Sequence, residues 1–244
     1  MATLERAEAA ERAMSEELDR AVVKSVIYTS GDRDPREPVP PRTPGKLVMM
    51  GHDPRLARMP DKPTLFDYFK YRFGPANHMM QSARLAMKNG AGEKVVLACL
   101  LHDIAIAGFI RGDHGYWAAQ LLEPYVDEEV SWAIRYHQAL RFFPDESIGY
   151  RYPDMYVTLF GPGYKVEPYV ERDYNYARGH KWYMTARLIC VNDLYSFDPT
   201  VQVQLEEFTD VVGRNFKQPK EGLGFDASPA AHMWRTIMWP TKYL

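Results

Sequence analysis

From Glu93 to Ile106 the chain is apolar on nearly every helical face. Val95, Val96, Leu97, Ala98, Cys99, Leu100 and Leu101 run in unbroken succession into His102-Asp103. A helix that is apolar all round has no solvent side and must pass through the core. Asp103 therefore sits between Leu101 and Ile104, where a carboxylate is costly unless it is paired or metal-bound. The same conflict recurs along the chain. His78, His114 and His137 fall on other core-type helical segments, and Asp193 lies in Leu188-Ile-Cys-Val-Asn-Asp-Leu-Tyr. A lone histidine on an apolar face is more often a hydrogen-bonded core residue. Six such groups on five successive helices form a donor set: four imidazoles and two carboxylates suit two closely spaced transition metals sharing one carboxylate.

The rest of the pattern predicts an all-α chain. Pro75 fits the first turn of a helix running to about Lys88, and Asn89-Gly90 stops it. Asp113 is placed to cap a helix from His114 to about Pro124, and Asp127 another ending at Phe143-Pro144. A fifth core helix is expected from about Ala177 to Tyr195, ended by Asp198-Pro199. Between them, Tyr150 to Asp173 carries three prolines and two glycines and reads as a long structured loop. Residues 1–27 read as a weakly amphipathic helix, and Thr29 to Lys46, with five prolines, as a linker. The expected division is residues 1–46 as a helical extension and residues 47–244 as the helical domain. The Gly51-His52-Asp53-Pro54 stretch lacks apolar flanks and reads as a turn.

The order His, His-Asp, His, His, Asp resembles the HD-domain superfamily over Tyr68 to about Phe197. The separations are 24 residues from His78 to His102, 23 from His114 to His137 and 56 from His137 to Asp193. They are similar to those of the phosphonate-cleaving HD oxygenases, relatives of myo-inositol oxygenase. The string Asn192-Asp-Leu-Tyr-Ser also resembles the segment of myo-inositol oxygenase that carries its last aspartate. The resemblance implies an HD-type helical bundle with His78, His102, Asp103 and Asp193 on one iron. His114 and His137, with Asp103 as the bridge, hold the other.

The resemblance also singles out Tyr68, ten residues before His78, where the phosphonate oxygenases carry a tyrosine that occupies an iron site until substrate displaces it. Tyr68 reads equally as a packed aromatic in Leu65-Phe-Asp-Tyr-Phe. Arg141, four residues after His137 on the same helical face, matches a basic residue that helps hold an anionic substrate. A solvated arginine complementing a helix C-terminus is the alternative. The chain departs from the family where it reads His102-Asp103-Ile104-Ala105-Ile106, because Ile106 replaces the usual basic residue. Leu159-Phe-Gly-Pro-Gly-Tyr stands where the related enzymes carry a serine-bearing, phosphonate-gripping loop.

The donor set suits an Fe(II)/Fe(III) pair, and the resemblance implies a non-haem diiron oxygenase that uses O2 to cleave a C–H bond of a small hydroxylated polar substrate. C–C or C–P cleavage is a possible sequel. The alternative is a two-metal HD-domain phosphohydrolase acting on a nucleotide or phosphate ester. Thirty basic against 32 acidic residues, a net charge of −2, give no electrostatic case for nucleic acid. No apolar run reaches the ~18 residues of a membrane span, and the first residues lack the apolar core of a signal peptide. Cys99 and Cys190, each in an apolar run, read as reduced buried thiols of a cytoplasmic protein. The expected partner is a small molecule, and a homo-oligomer is compatible with the sequence.

Overall fold

A computed structural model describes residues 59–71, 73, 76–105, 113–153, 156–157, 160–194, 196 and 201–238. The N-terminal helix, the proline-rich stretch, the expected boundary at 46/47 and the His52-Asp53 turn lie outside these residues, as does Ile106. Among the described residues the fold is all-α, as the sequence predicts. There is no strand, only an isolated bridge between Asp145 and Tyr150. No helix among them is long and apolar enough to cross a membrane.

The chain divides into two compact units. The described residues of the first are 59–71, 73 and 218–238, with α1 at Leu65–Tyr71 and a C-terminal helix, α9, at Ala231–Met238. Thr64 starts α1 reciprocally. The Asp67 carboxylate accepts from the Thr64 backbone N–H (2.8 Å), while the Asp67 N–H donates to Thr64 Oγ1 (3.2 Å). Tyr68 is fully buried, with its ring centroid 5.0 Å from that of Trp234 and 5.9 Å from that of Phe73. Gly222 closes the unit at φ 92°, with room for no side chain: an added Cβ would fall 2.6 Å from Pro63 Cδ.

The second unit is a helical bundle of α2 (Ala76–Lys88), α3 (Glu93–Leu101), α4 (His114–Leu122), α5 (Glu128–Arg141), α6 (Pro168–Ala177), α7 (Tyr183–Leu194) and α8 (Thr209–Asn215). Helix α3 packs against α2, α5, α7 and α8, and Val95 through Leu101 are all buried. That is the central position its uniform apolarity demands. Helix α2 ends as expected, with Gly90 at φ 72° and the Ala91 N–H returning to Ala86 O.

Two expectations need correction. Tyr150 to Asp173 is not loop throughout, because α6 begins inside it. Pro168 is the first residue of that helix, where its missing N–H costs nothing. The last core helix does not start at Ala177, which closes α6. A turn through Gly179 and His180 intervenes, and α7 begins at Tyr183. The caps also differ in detail. Asp113 and Asp127 occupy the N-cap positions of α4 and α5, but neither side chain caps. Asp113 instead accepts from Tyr169 of α6 (2.7 Å), and Asp127 pairs with Lys94 of α3 (3.2 Å). Each ties its helix start to a neighbour.

Helices α4 and α5 approach so closely that a Cβ on Gly115 would fall 2.8 Å from Ile134 O and 3.0 Å from Arg135 O. Ala is a better helix former than Gly by about 1 kcal/mol, but here two backbone carbonyls would have to move. Overpacking of that kind costs about 1–3 kcal/mol. Gly115→Ala is therefore expected to lower the melting temperature, whereas Gly213→Ala on α8, where nothing lies within 4 Å, raises it. Thermal melts followed by circular dichroism check both signs.

Candidate metal centre

The second unit brings all six polar groups together. His78 comes from α2, His102 and Asp103 from the turn after α3, His114 from the first residue of α4, His137 from α5 and Asp193 from α7. His102, His137 and Asp193 are fully buried, and the others nearly so. Two trios have ligand atoms within 4.8 Å of one another: His78, His102 and Asp193, and His102, Asp103 and His137. His114 joins the second, with its Nε2 3.1 Å from both Asp103 Oδ1 and His137 Nε2.

Asp103 lies between the groups. Its Oδ1 faces His114 (3.1 Å), His102 (3.5 Å) and His137 (3.7 Å), while its Oδ2 faces His78 (3.7 Å). The carboxylate thus lies between the two trios, with His102, His114 and His137 on one oxygen and His78 on the other. Asp193 Oδ1 is 2.7 Å from His78 Nε2 and 3.6 Å from His102 Nε2.

Backbone oxygens aim the imidazoles. His102 Nδ1 is 2.7 Å from Cys99 O, and His137 Nδ1 is 2.6 Å from Ile134 O, each three residues back along its own helix. A carbonyl only accepts, so Nδ1 carries the proton and the Nε2 lone pair is left facing the centre. Burial, reinforced by neighbouring histidines, pulls His78 down to about 4 and His137 down to about 3. Burial also lowers His102. These rings are neutral near neutral pH, as metal ligands must be. Burial by itself would raise Asp103, but the adjacent His102 and His114 outweigh it and hold the carboxyl well below its usual range.

The donor set fits metal ions. His102 Nε2 is buried with no hydrogen-bond partner among the described residues, and the His114 and His137 Nε2 atoms approach to 3.1 Å. His137 Nε2, with its Nδ1 protonated, presents a lone pair there, which His114 meets with a proton in metal-free protein and a metal can take instead.

Arg141 is buried rather than solvated, and its Nη1 pairs with Asp193 Oδ2. Its guanidinium lies 5.1 Å from the Tyr156 ring, and its backbone oxygen accepts from the Tyr150 hydroxyl (3.0 Å). Burial pushes the Tyr156 phenol up to about 12, so it stays protonated. Tyr68 belongs to the aromatic cluster of the first unit, and its buried hydroxyl has no hydrogen-bond partner among the described residues. His180 stacks on Trp132 at 4.1 Å and accepts from the Trp182 N–H, as part of a ring cluster. Both cysteines are buried and free. Burial pushes Cys99 up to about 12 and Cys190 up to about 11, which makes them inert thiols.

Sequence reasoning passed over Arg187, Tyr150, Tyr156 and Ser196. Arg187 is fully buried and donates to the Leu140 (2.8 Å) and Phe143 (3.0 Å) carbonyls at the end of α5, next to Arg141. Its signal was available: an arginine inside the apolar run of α7 cannot stay there without acceptors.

The lowered histidines fix a pH dependence. In the unfolded chain they titrate near ~6.5, so unfolding takes up protons at any pH between there and about 4. The unfolded state then binds more protons than the folded one, and folding stability falls as pH drops through this window. The melting temperature of chelator-treated protein is expected to decline from pH 7 to pH 4.5, and a flat profile would contradict buried neutral imidazoles.

Residues 76–150 match the family model of the HD domain, a segment that carries five of the six clustered groups and leaves Asp193 outside it. No curated protein matches the chain. HD-domain proteins are in general metal-dependent enzymes, and the His/Asp clusters of this bundle are suited to hold metal.

Proposed function

We propose that the protein is a non-haem diiron oxygenase acting on a small hydroxylated polar substrate. The observation that carries the reading is the donor set itself. Four imidazoles, three of them held neutral, surround an aspartate whose two oxygens together face all four rings. In this reading His78, His102, Asp103 and Asp193 hold one iron, and Asp103, His114 and His137 the other. When bound, an Fe(II)/Fe(III) pair supplies one site that chelates substrate and one that reduces O2, giving an oxidant strong enough to take hydrogen from a C–H bond.

The chain's own groups do the rest. The carbonyls of Cys99 and Ile134 keep two rings aimed inward. Arg141 orients Asp193 and lends positive charge to an anionic end of the substrate. The buried apolar helices around the clusters limit water, which protects a reactive oxidant from side reactions.

A phosphohydrolase with the same ligands is the second reading. It needs cations for phosphate oxygens. Among the described residues beside the centre, Arg187 is held by backbone carbonyls, which leaves Arg141 as a single cation for a substrate anion. One cation suits a substrate with one anionic end better than a nucleotide's several phosphate oxygens, which favours the oxygenase.

Protein loaded anaerobically with ferrous iron and then partly oxidised is expected to show the electron paramagnetic signal of a coupled Fe(II)/Fe(III) pair. It should consume O2 with one class in a panel of hydroxylated amino-, phosphono- and sugar-like compounds. Oxygen-independent release of phosphate from nucleotides with Mn2+ or Mg2+ would favour the hydrolase instead. Asp103→Ala is expected to lose both metals, since it removes the shared ligand, while His137→Ala spares the cluster of His78, His102 and Asp193. Arg141→Ala is expected to raise KM for an anionic substrate more than it lowers kcat. Equal metal loss in Asp103→Ala and His137→Ala would contradict the partition.

A further inference from the structure

Beyond α7 the chain returns to α2 beside His78. The Val201 carbonyl accepts from Asn77 Nδ2 (3.2 Å) and Gln81 Nε2 (3.0 Å), which flank His78 on its helix. Ser196 lies on the same return and is fully buried. Its hydroxyl donates to the backbone oxygen of Asp193 (2.6 Å) and lies 2.8 Å from His78 Nδ1. Its own carbonyl is 3.2 Å from the same nitrogen.

The proton count is determinate. The single Ser196 hydroxyl hydrogen goes to Asp193 O, so toward His78 the oxygen is an acceptor. The Ser196 carbonyl can only accept. With a hydrogen on His78 Nδ1 directed at Ser196, Nε2 is the atom left for a metal held between it and Asp193 Oδ1, 2.7 Å away. His102 and His137 are aimed by carbonyls three residues back; His78 Nδ1 is met by a residue three positions beyond Asp193, which bonds the Asp193 backbone at the same time.

We infer that Ser196 is a positioning residue: it sets the tautomer and ring plane of His78 and couples that ring to the backbone of Asp193. The two groups are then presented to one metal as a unit. The inference rests on the reading that His78 and Asp193 share a metal. It adds to that reading a non-ligand residue that sets the affinity of one cluster and leaves the other alone.

The test uses the full chain, stripped by chelator and titrated with Co2+ alone, followed by visible absorption and calorimetry. Wild type is expected to take up two equivalents. Ser196→Ala should bind one of them about 10–100-fold more weakly, the usual effect of losing an outer partner of a metal-bound histidine, with the other unchanged. Ser196→Thr keeps the hydroxyl and should recover most of the loss. It also serves as the second variant should Ser196→Ala fail to fold. Imidazole 15N spectra of the protein loaded with diamagnetic Zn2+ give an independent readout: the His78 Nδ1–H should be visible and slow to exchange in wild type and broadened by fast exchange in Ser196→Ala, which a merely structural serine would not produce. Two unchanged affinities in Ser196→Ala overturn the inference, as does equal weakening of both in a folded variant. Fewer than two equivalents in wild type would overturn the two-metal reading before any variant is measured, and the role of Ser196 with it.

Discussion

Two carboxylates in an apolar core are the constraint from which the rest of the second unit follows. Asp103 and Asp193 sit among helices whose other residues at this depth are mostly aliphatic. Removing an ion from water costs several kcal/mol even after relaxation, so a carboxylate stays there only with partners. Asp103 has three imidazole nitrogens within 3.7 Å of one oxygen and a fourth at the same distance from the other. Asp193 has His78 on one oxygen and Arg141 on the other. The neutral rings of His78, His102 and His137 cannot cancel two negative charges, and a single guanidinium cancels only one. Metal cations among these donors satisfy what remains.

The helices serve this arrangement at some expense of ordinary stability. Helix α3 is buried on every side so that its end can deliver His102 and Asp103 to the middle of the bundle. Gly115 lets α4 lie against the α5 carbonyls, which carries His114 to within hydrogen-bond distance of His137. The start of α4 is tied by Asp113 to Tyr169 of α6, so the cap is given up for a contact that positions the His114 end. Carbonyls that would otherwise serve only the helix, those of Cys99 and Ile134, also hold rings. Each element does two jobs, and the second is always to fix a direction at the centre.

The clustering was legible because it breaks a local rule. Histidine and aspartate inside apolar helices are anomalies, and the five helical segments that carry them are long enough for period and punctuation to be read. What the sequence hid has specific causes. Helix α6 was masked by prolines and glycines that precede it, although Pro168 at its first position is a start signal as much as a break. The caps at Asp113 and Asp127 were placed correctly, but their carboxylates found tertiary partners that no local pattern encodes. Arg141 at a helix end looks solvated from sequence, since only the fold brings Asp193 to it. Ser196 and Tyr156 are ordinary residues made significant by contacts with groups far away in the chain. Tyr68 shows the reverse. Its place in an apolar string was read as packing or as an iron guard, and its ring sits against Phe73 and Trp234.

The central claim is that this bundle holds two metals shared through Asp103. A crystal of the protein grown with ferrous iron under anaerobic conditions, measured on both sides of the iron absorption edge, tests it directly. The account predicts two anomalous peaks: one contacted by His78, His102 and Asp193, the other by His114 and His137, with an Asp103 oxygen on each. A single peak, or two peaks that do not share Asp103, would contradict it.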